Sequence, residues 1–190
     1  MLKRLGIALA VVLALGVGGA VLVRMMDQGA TAFSVEGAVL RISGPISGAA
    51  ADRLDRLLEE NPGLTTLALG DIPGADDVNW VTGMGRLIRA QGLATRVEGV
   101  VVNDAIFLFL GGVTRSMAGG ALVLQGDAVQ RQAGVAVDQS TAAEGDRQRF
   151  VEAVLGAPDF AAFMAETRAA QGQYILTEAD IARFGLTTTN

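Results

Sequence analysis

The chain has 190 residues, 51% of them hydrophobic and 18% charged, with a formal net charge of −5 and neither histidine nor cysteine. That length suits one domain with an appendage, and that apolar fraction supplies a sizeable core, which excludes the disordered class. Without cysteine there are no disulfides, no thiolate nucleophile and no cysteine-ligated zinc or iron–sulfur centre.

Lys3 and Arg4 precede Leu5–Val23, "LGIALAVVLALGVGGAVLV", 19 residues with no charge or strongly polar group, and Arg24 follows. At about 1.5 Å per residue such a helix spans roughly 28 Å, close to the hydrocarbon thickness of a bilayer. Residues 1–27 therefore read as an N-terminal membrane anchor crossing once through residues 5–23. Two cationic residues and the amino terminus favour an N-in orientation, which leaves the rest of the chain outside the cytoplasm. A cleaved signal peptide ending near Ala30-Thr31-Ala32 is the competing reading. That site lies far beyond the apolar run, and 19 residues is long for a signal sequence, so a retained anchor is favoured. Ala14 with Gly18, or Gly16 with Ala20, gives the anchor a small-xxx-small pattern for packing on another helix, and Met25-Met26 continues it into the interface.

Residues 28–34 read as a small-residue linker and 35–190 as one domain. Ser34–Ser43, "SVEGAVLRIS", alternates like a strand and breaks at "GPISG". In the helix that follows, Ala50, Leu54, Leu57 and Leu58 share one face while Asp52, Arg53, Arg56 and Glu59 share the other, and Asn61-Pro62-Gly63 stops it. Thr65–Leu69 is a short strand ending in the loop "GDIPGADD". Val78–Ala90 is helical by spacing, with Val81, Met84, Leu87 and Ile88 inward. Thr95–Val102 reads as the next strand, Asp104–Leu110 as an apolar helix and Ala121–Leu124 as another strand. This alternation predicts an α/β domain with a mostly parallel sheet and flanking helices. Ala142–Leu155, Phe160–Ala170 and Glu178–Phe184 read as C-terminal helices, the last opened by Thr177 and Asp180 as a near capping box. The sequence shows no internal repeat.

Residues 25–190 hold 12 basic and all 20 acidic residues, a net charge of −8. With no basic cluster, this domain is a poor binder of nucleic acid or anionic lipid.

Four stretches in this order, "LRISGPISGAAADRLDRLL", "LALGDIPGADDVNWVTGMGRLIRAQGLATRV", "VVNDAIFLFLGGVTR" and "YILTEADIARFGLTT", resemble the Clp-protease-like branch of the crotonase superfamily, in particular its bacterial membrane-anchored or periplasmic members. The resemblance implies a ClpP/crotonase-like spiral, a location in the bacterial inner membrane with the C-terminal domain in the periplasm, and association into trimers or larger rings. It also implies where an active site would stand. The elbow nucleophile, a serine in active members, falls at Asn103, with Asp104 at the following small residue. The histidine position falls near Gln125 or Gly126. The glycine pair that donates an oxyanion N–H corresponds to "IPGAD", where Gly74 alone remains.

An argument from chemistry agrees. Acyl transfer by serine or threonine needs a base, normally histidine and sometimes lysine, or else a cysteine thiolate. The chain's sole lysine is Lys3, so the outer domain retains only carboxylates as titratable bases near neutral pH. The expectation is therefore a catalytically inactive domain acting as a binding or assembly module, with no catalytic residue, no metal and no cofactor. One alternative is a carboxylate-dependent hydratase or hydrolase whose oxyanion hole is formed by backbone N–H groups near Gly74 and Asp104. Another is an accessory subunit of a membrane complex.

Individual residues carry plainer expectations. Asp71, Asp76 and Asp77 are ordinary turn and cap formers, although with Asp104 they could hold a hard cation. Asn103 suits an N-cap and Asp104 a first helical turn. Arg115 is expected to cap carbonyls or pair with an acid, and Trp80 to pack on its helix or anchor a partner. Phe150, Val154, Leu155, Phe160, Phe163 and Met164 give the C-terminal helices an apolar stripe that a monomer would fold back over its sheet and an oligomer would partly present to a neighbour.

Overall fold

The computed structural model describes residues 30–132, 140–170 and 172–188. The membrane segment predicted at 5–23 lies outside the described residues, among which no helix is long and apolar enough to cross a membrane.

Strands β1 (Ala32–Glu36) and β2 (Val39–Ser43) form an antiparallel hairpin with Glu36 paired to Val39. The sequence pattern runs Ser34–Ser43 as one strand. The structure divides it at Gly37, whose φ of +60° suits the first position of a two-residue hairpin loop. β1 also takes in Ala32–Ser34, which the composition assigns to a linker. Next come α1 (Gly48–Glu60), β3 (Thr66–Leu69), α2 (Val78–Ala90), β4 (Ala94–Val97) and β5 (Val100–Val102). A 3-10 turn (Asn103–Ala105) leads into α3 (Ile106–Leu110), followed by β6 (Arg115–Met117), β7 (Ala121–Gln125), α4 (Asp127–Gln132), α5 (Thr141–Leu155), α6 (Asp159–Ala169), β8 (Gln173–Ile175) and α7 (Glu178–Arg183).

The strands form two sheets where the sequence pattern suggests one. The larger has the order β1-β2-β3-β4-β6 and is parallel apart from the β1–β2 hairpin; the smaller has the order β5-β7-β8, with β7–β8 antiparallel. The apparent strand Thr95–Val102 contains the reason. Its residues up to Val97 belong to the large sheet and those from Val100 to the small one, with the break at Glu98-Gly99. The same bend recurs: β3 passes through Gly70 to Ile72, which bridges to Val101 in parallel, and β6 passes through Gly119-Gly120 into β7. The bends stack. A Cβ on Gly99 would lie 2.4 Å from the Gly70 carbonyl carbon, and one on Gly120 would lie 2.4 Å from the Gly99 oxygen, so this crease admits only glycine. The result is a spiral of strand–bend–strand–helix units.

The helix faces read from sequence hold: Ala50, Leu54, Leu57 and Leu58 of α1 and Val81, Met84 and Ile88 of α2 are buried, and all of α3 lies in the core. The C-terminal helices fold back over the domain. Phe150, Phe160 and Met164 are buried there, while Val154, Leu155 and Phe163 are partly buried against the core.

Candidate functional site

Asn103 follows β5 directly, at a sharp turn from strand to helix. Its φ of +50° makes it the one non-glycine residue with positive φ among the described residues. Asparagine tolerates this left-handed conformation better than other side chains. The expected N-cap is not made. Neither the 3-10 turn nor α3 receives a side-chain cap. Instead the Asn103 carboxamide, with the residue 2% exposed, faces the end of β7. Its Oδ1 accepts from the Gln125 N–H at 2.7 Å and its Nδ2 donates to the Gln125 carbonyl at 3.1 Å. β5 pairs with β7 as far as Val102 and then stops. The amide supplies one acceptor and one donor to backbone groups that would otherwise lose their ladder partner.

Asp104 points the other way, towards α5 and α6. Arg147 Nε donates to both carboxylate oxygens at 3.0 and 3.2 Å, and Arg147 Nη2 donates to Oδ2 at 2.8 Å. Arg168 Nη1 donates to Oδ1 at 3.2 Å. Glu144 Oε1 completes the group, accepting from Arg147 Nη1 at 2.9 Å and Arg168 Nη2 at 2.6 Å. Two carboxylates and two guanidinium groups cancel in charge, and both arginines are buried, at 3% and 7% exposure. Asp104 is thus an ion-pair partner of two elements distant in sequence as well as a first-turn residue.

The sequence reading does not single out Arg147 or Arg168, although a signal exists. Arg147 shares its helical face with Ala143, Phe150 and Val151, and Arg168 shares its face with Phe160 and Met164, all buried. An arginine on an apolar face requires a buried partner.

Gly74 is buried, with φ +150°, and its carbonyl accepts from the Ile46 N–H at 3.0 Å. Ile72 and Val101 form a parallel bridge, so Gly74 and Asn103, each two residues further on, leave the small sheet at the same end. The structure therefore gathers Asn103, Asp104, Gln125 and Gly74 around one end of the small sheet. Gly126 belongs to the neighbouring wall: its N–H donates to the Gly172 carbonyl at 2.7 Å, and a Cβ there would lie 2.3 Å from the Ala170 oxygen. Asp104 is the second residue of its turn, and the first N–H groups of a helix have no intrahelical partner.

The four aspartates do not converge. Asp71 Oδ1 accepts from the Val100 N–H at 2.8 Å, Asp77 caps α2 through the Asn79 N–H at 2.6 Å, and Asp104 is held by the arginines. Among the described residues no group of three or more acidic side chains is placed to hold a metal ion. Arg115 is buried and donates to three carbonyls: Leu186 at 2.7 Å, Gly185 at 3.1 Å and Gly112 at 3.3 Å. Burial first, then the neighbouring Arg89 charge, lowers its pKa from the ordinary arginine value. Its role here is to fasten the segment after α7.

No family model and no curated protein matches the chain. Solved structures do. ClpP1 from Listeria monocytogenes superposes with a TM-score of 0.55 at 14% identity, covering 80% of this chain and 89% of its own. An enoyl-CoA hydratase from Thermoplasma volcanium gives 0.55 at 12% identity over 83% and 70%. The 1510-N membrane-bound stomatin-specific protease, solved with a substrate peptide, gives 0.52 at 15% identity over 78% and 71%. The described residues thus share a fold with ClpP-like proteases and enoyl-CoA hydratases. Within this ClpP/crotonase fold, the elbow of the chain carries a carboxamide hydrogen-bonded to backbone.

Proposed function

We propose that the chain is a single-pass protein of the bacterial inner membrane whose ClpP/crotonase-like domain, on the periplasmic side, binds or assembles and does not catalyse. The observation that carries this reading is the Asn103 carboxamide, whose acceptor and donor are both engaged by the Gln125 backbone. A nucleophile needs a free, activated atom at this place, with a base beside it. Here the position is occupied by an amide that substitutes for strand pairing. The residue after it is held by two guanidinium groups, so its oxygens face charge partners and not a substrate.

The test is turnover of casein, peptide esters and acyl-thioesters by the full chain in neutral detergent. No turnover above buffer is expected. Robust activity abolished by Asn103→Ala would overturn the reading. Placement is tested separately. The chain contains no cysteine, so a single Ser34→Cys variant, labelled in intact cells by a membrane-impermeant maleimide, reports directly which side the domain occupies. Labelling only after lysis contradicts a periplasmic domain.

A second reading rests on the two backbone amides at the site. Gly74 and Asp104 offer N–H groups for an oxyanion, and the similarity extends to enoyl-CoA hydratases. On this reading the protein is a carboxylate-dependent hydratase or hydrolase whose oxyanion is stabilised by backbone N–H groups. A thioester analogue that shifts the Gly74 and Asp104 amide resonances would favour it over the binding module. Self-association, or membership of a larger membrane complex, is the form in which a binding module would operate. Light scattering and co-purification in mild detergent separate the two.

A further inference from the structure

The outer edges of the two sheets are closed to different degrees. At β6 the Thr188 N–H donates to the Arg115 carbonyl at 3.0 Å, and the Thr188 hydroxyl accepts from the Arg115 N–H at 2.7 Å. At β5 the Ile72 N–H donates to the Val100 carbonyl at 2.7 Å, and the Ile72 carbonyl accepts from the Val102 N–H at 3.0 Å. β8 is open but only three residues long. β1 ends the order of the large sheet with no strand beyond it among the described residues, and four of its five residues are exposed.

The free groups of β1 follow from the pairing. The Ala38 and Ile42 carbonyls accept from the Thr66 and Gly70 N–H groups, so the even-numbered residues of β2 bond towards β3, and Val39, Arg41 and Ser43 bond towards β1. Their partners are Glu36, Ser34 and Ala32. The N–H and C=O groups of Phe33 and Val35 therefore point away from the sheet, two donors and two acceptors in a row. Such an edge is a template for another strand unless lysine, proline, a bulge or a covering segment blunts it. "AFSVE" has neither lysine nor proline, and its register with β2 runs without a bulge.

The strand is also complementary to itself. Set antiparallel about Ser34, Phe33 and Val35 oppose Val35 and Phe33 of a second copy as hydrogen-bonded pairs. Ser34 then opposes Ser34, and Ala32 opposes Glu36, so no acid faces an acid. Phe33 packs against the core, so each Phe33–Val35 pair, an aromatic against a β-branched residue, continues an apolar face across the junction. The twofold axis of such a pair is perpendicular to the sheet. Two chains inserted alike in one membrane are related by an axis along its normal, and the two conditions agree when the sheets lie parallel to the bilayer.

We propose that β1 is a dimerisation edge, pairing antiparallel with β1 of a second copy of this chain to join two five-stranded sheets into one. The inference rests on the assembly reading and names its interface. Turnover of an acyl substrate would remove the inactivity and leave this edge untouched.

The experiment uses the full chain in dodecyl maltoside. The chain has no native cysteine, so single cysteines report register. Ser34→Cys, reduced and then exposed to copper phenanthroline, sets two sulfurs across a non-hydrogen-bonded pair, where Cα atoms lie about 4.5 Å apart and a disulfide fits. Cross-linked dimer is expected, at least about fivefold more than from Ser116→Cys, which lies in the same cross-strand row at the opposite edge. Ala32→Cys and Glu36→Cys are expected to cross-link when mixed and not singly. Val35→Pro, which removes an outward N–H, and Val35→Lys are each expected to cut Ser34→Cys cross-linking at least about fivefold, with circular dichroism melts showing which variants remain folded. Ser34→Cys that cross-links no more than Ser116→Cys overturns the proposal, as does cross-linking undiminished in a folded Val35 variant. A dimer that light scattering still detects in either case keeps the assembly reading and places its interface elsewhere.

Discussion

The crease between the two sheets and the joint between elbow and C-terminal helices are assembled from opposite materials. The crease is backbone against backbone: Gly99 against Gly70, and Gly120 against Gly99, leave no room for a side chain on Gly99 or Gly120, and the Gly99 and Ala121 N–H groups donate to Leu69 and Gly99 at 3.1 and 3.0 Å. The joint is side chain against side chain, with Asp104, Glu144, Arg147 and Arg168 closing over one another. A backbone crease fixes shape and leaves no chemical group to adjust. A charged joint is open to substitution, provided its charges are removed together.

The largest effect is expected at the crease. In Gly99→Ala the new methyl lies 2.4 to 2.6 Å from Gly70 and Asp71 atoms, two of the three nearest being backbone that has nowhere to move. A loss on the order of 4 kcal/mol is expected, enough to leave little folded protein. The matched control is Gly119→Ala, at φ +85° with nothing within 4 Å of the added methyl. It carries only the left-handed backbone penalty of about 1 kcal/mol. Chemical denaturation of both variants checks the contrast, and equal losses would remove the crease as the cause.

The joint follows. Asp104→Ala removes the carboxylate shared by two buried guanidinium groups, and a cost of about 3–4 kcal/mol is expected. Replacing Asp104 and both arginines together, Asp104→Leu with Arg147→Met and Arg168→Met, with half-exposed Glu144 left to water, is expected to restore most of that stability, because desolvation of the ions offsets much of their attraction. A triple variant no more stable than Asp104→Ala would mean that the charges, and not the volume they fill, hold α5 and α6.

Asn103 sits between the two regimes, a side chain performing the work of backbone. Asn103→Ala leaves the Gln125 N–H and carbonyl without their partner and puts alanine at positive φ, for an expected loss of about 2–3 kcal/mol. Hydrogen exchange at the Gln125 amide locates the effect. Protection unchanged in the variant would mean that another group had replaced the carboxamide.

These differences in material also explain how much could be read from the chain. Helix faces and ends are local: the spacing of Ala50, Leu54, Leu57 and Leu58, the bounds Val78–Ala90 and the Thr177/Asp180 box all stand in the structure as the sequence places them. The crease hides inside "TRVEGVVV", where β-branched residues on both sides of Gly99 read as one uninterrupted strand. The spiral repeat is likewise carried by bends and not by a recurring motif. At the elbow, the positions of Asn103 and Gln125 come from the resemblance, while the bond between them spans 22 residues and the Asp104 contacts span 43 and 64. Capping explained Asn103 locally, and the structure chose a distant partner because a strand end needed one.

The smallest expected effect brings the side-chain regime to the surface, where water competes. Asp180 closes the capping box of α7: its carboxylate accepts from the Thr177 N–H at 2.8 Å and the Thr177 hydroxyl at 2.6 Å, and from the Tyr174 hydroxyl at 2.8 Å. Hydrogen bonding by Thr177, the hydroxyl foremost and then the backbone N–H, lowers the Asp180 pKa from the ordinary aspartate value. The folded carboxyl is therefore the harder of the two states to protonate. As pH falls, the unfolded chain takes up the proton first, so this contribution to stability is in place above the ordinary aspartate range and is lost as pH falls through it and past the folded value. Thr177→Ala removes the hydroxyl and its bond to the Asp180 N–H, for about 1 kcal/mol at neutral pH, and flattens the acid limb of the stability curve. Gly119→Ala, at the crease with no titratable side chain involved, is expected to lower the same curve in parallel at every pH. Denaturation between pH 2 and 7 decides it: an acid limb as steep in Thr177→Ala as in the parent chain would assign that limb to other carboxylates and leave the α7 cap without a measurable part in it.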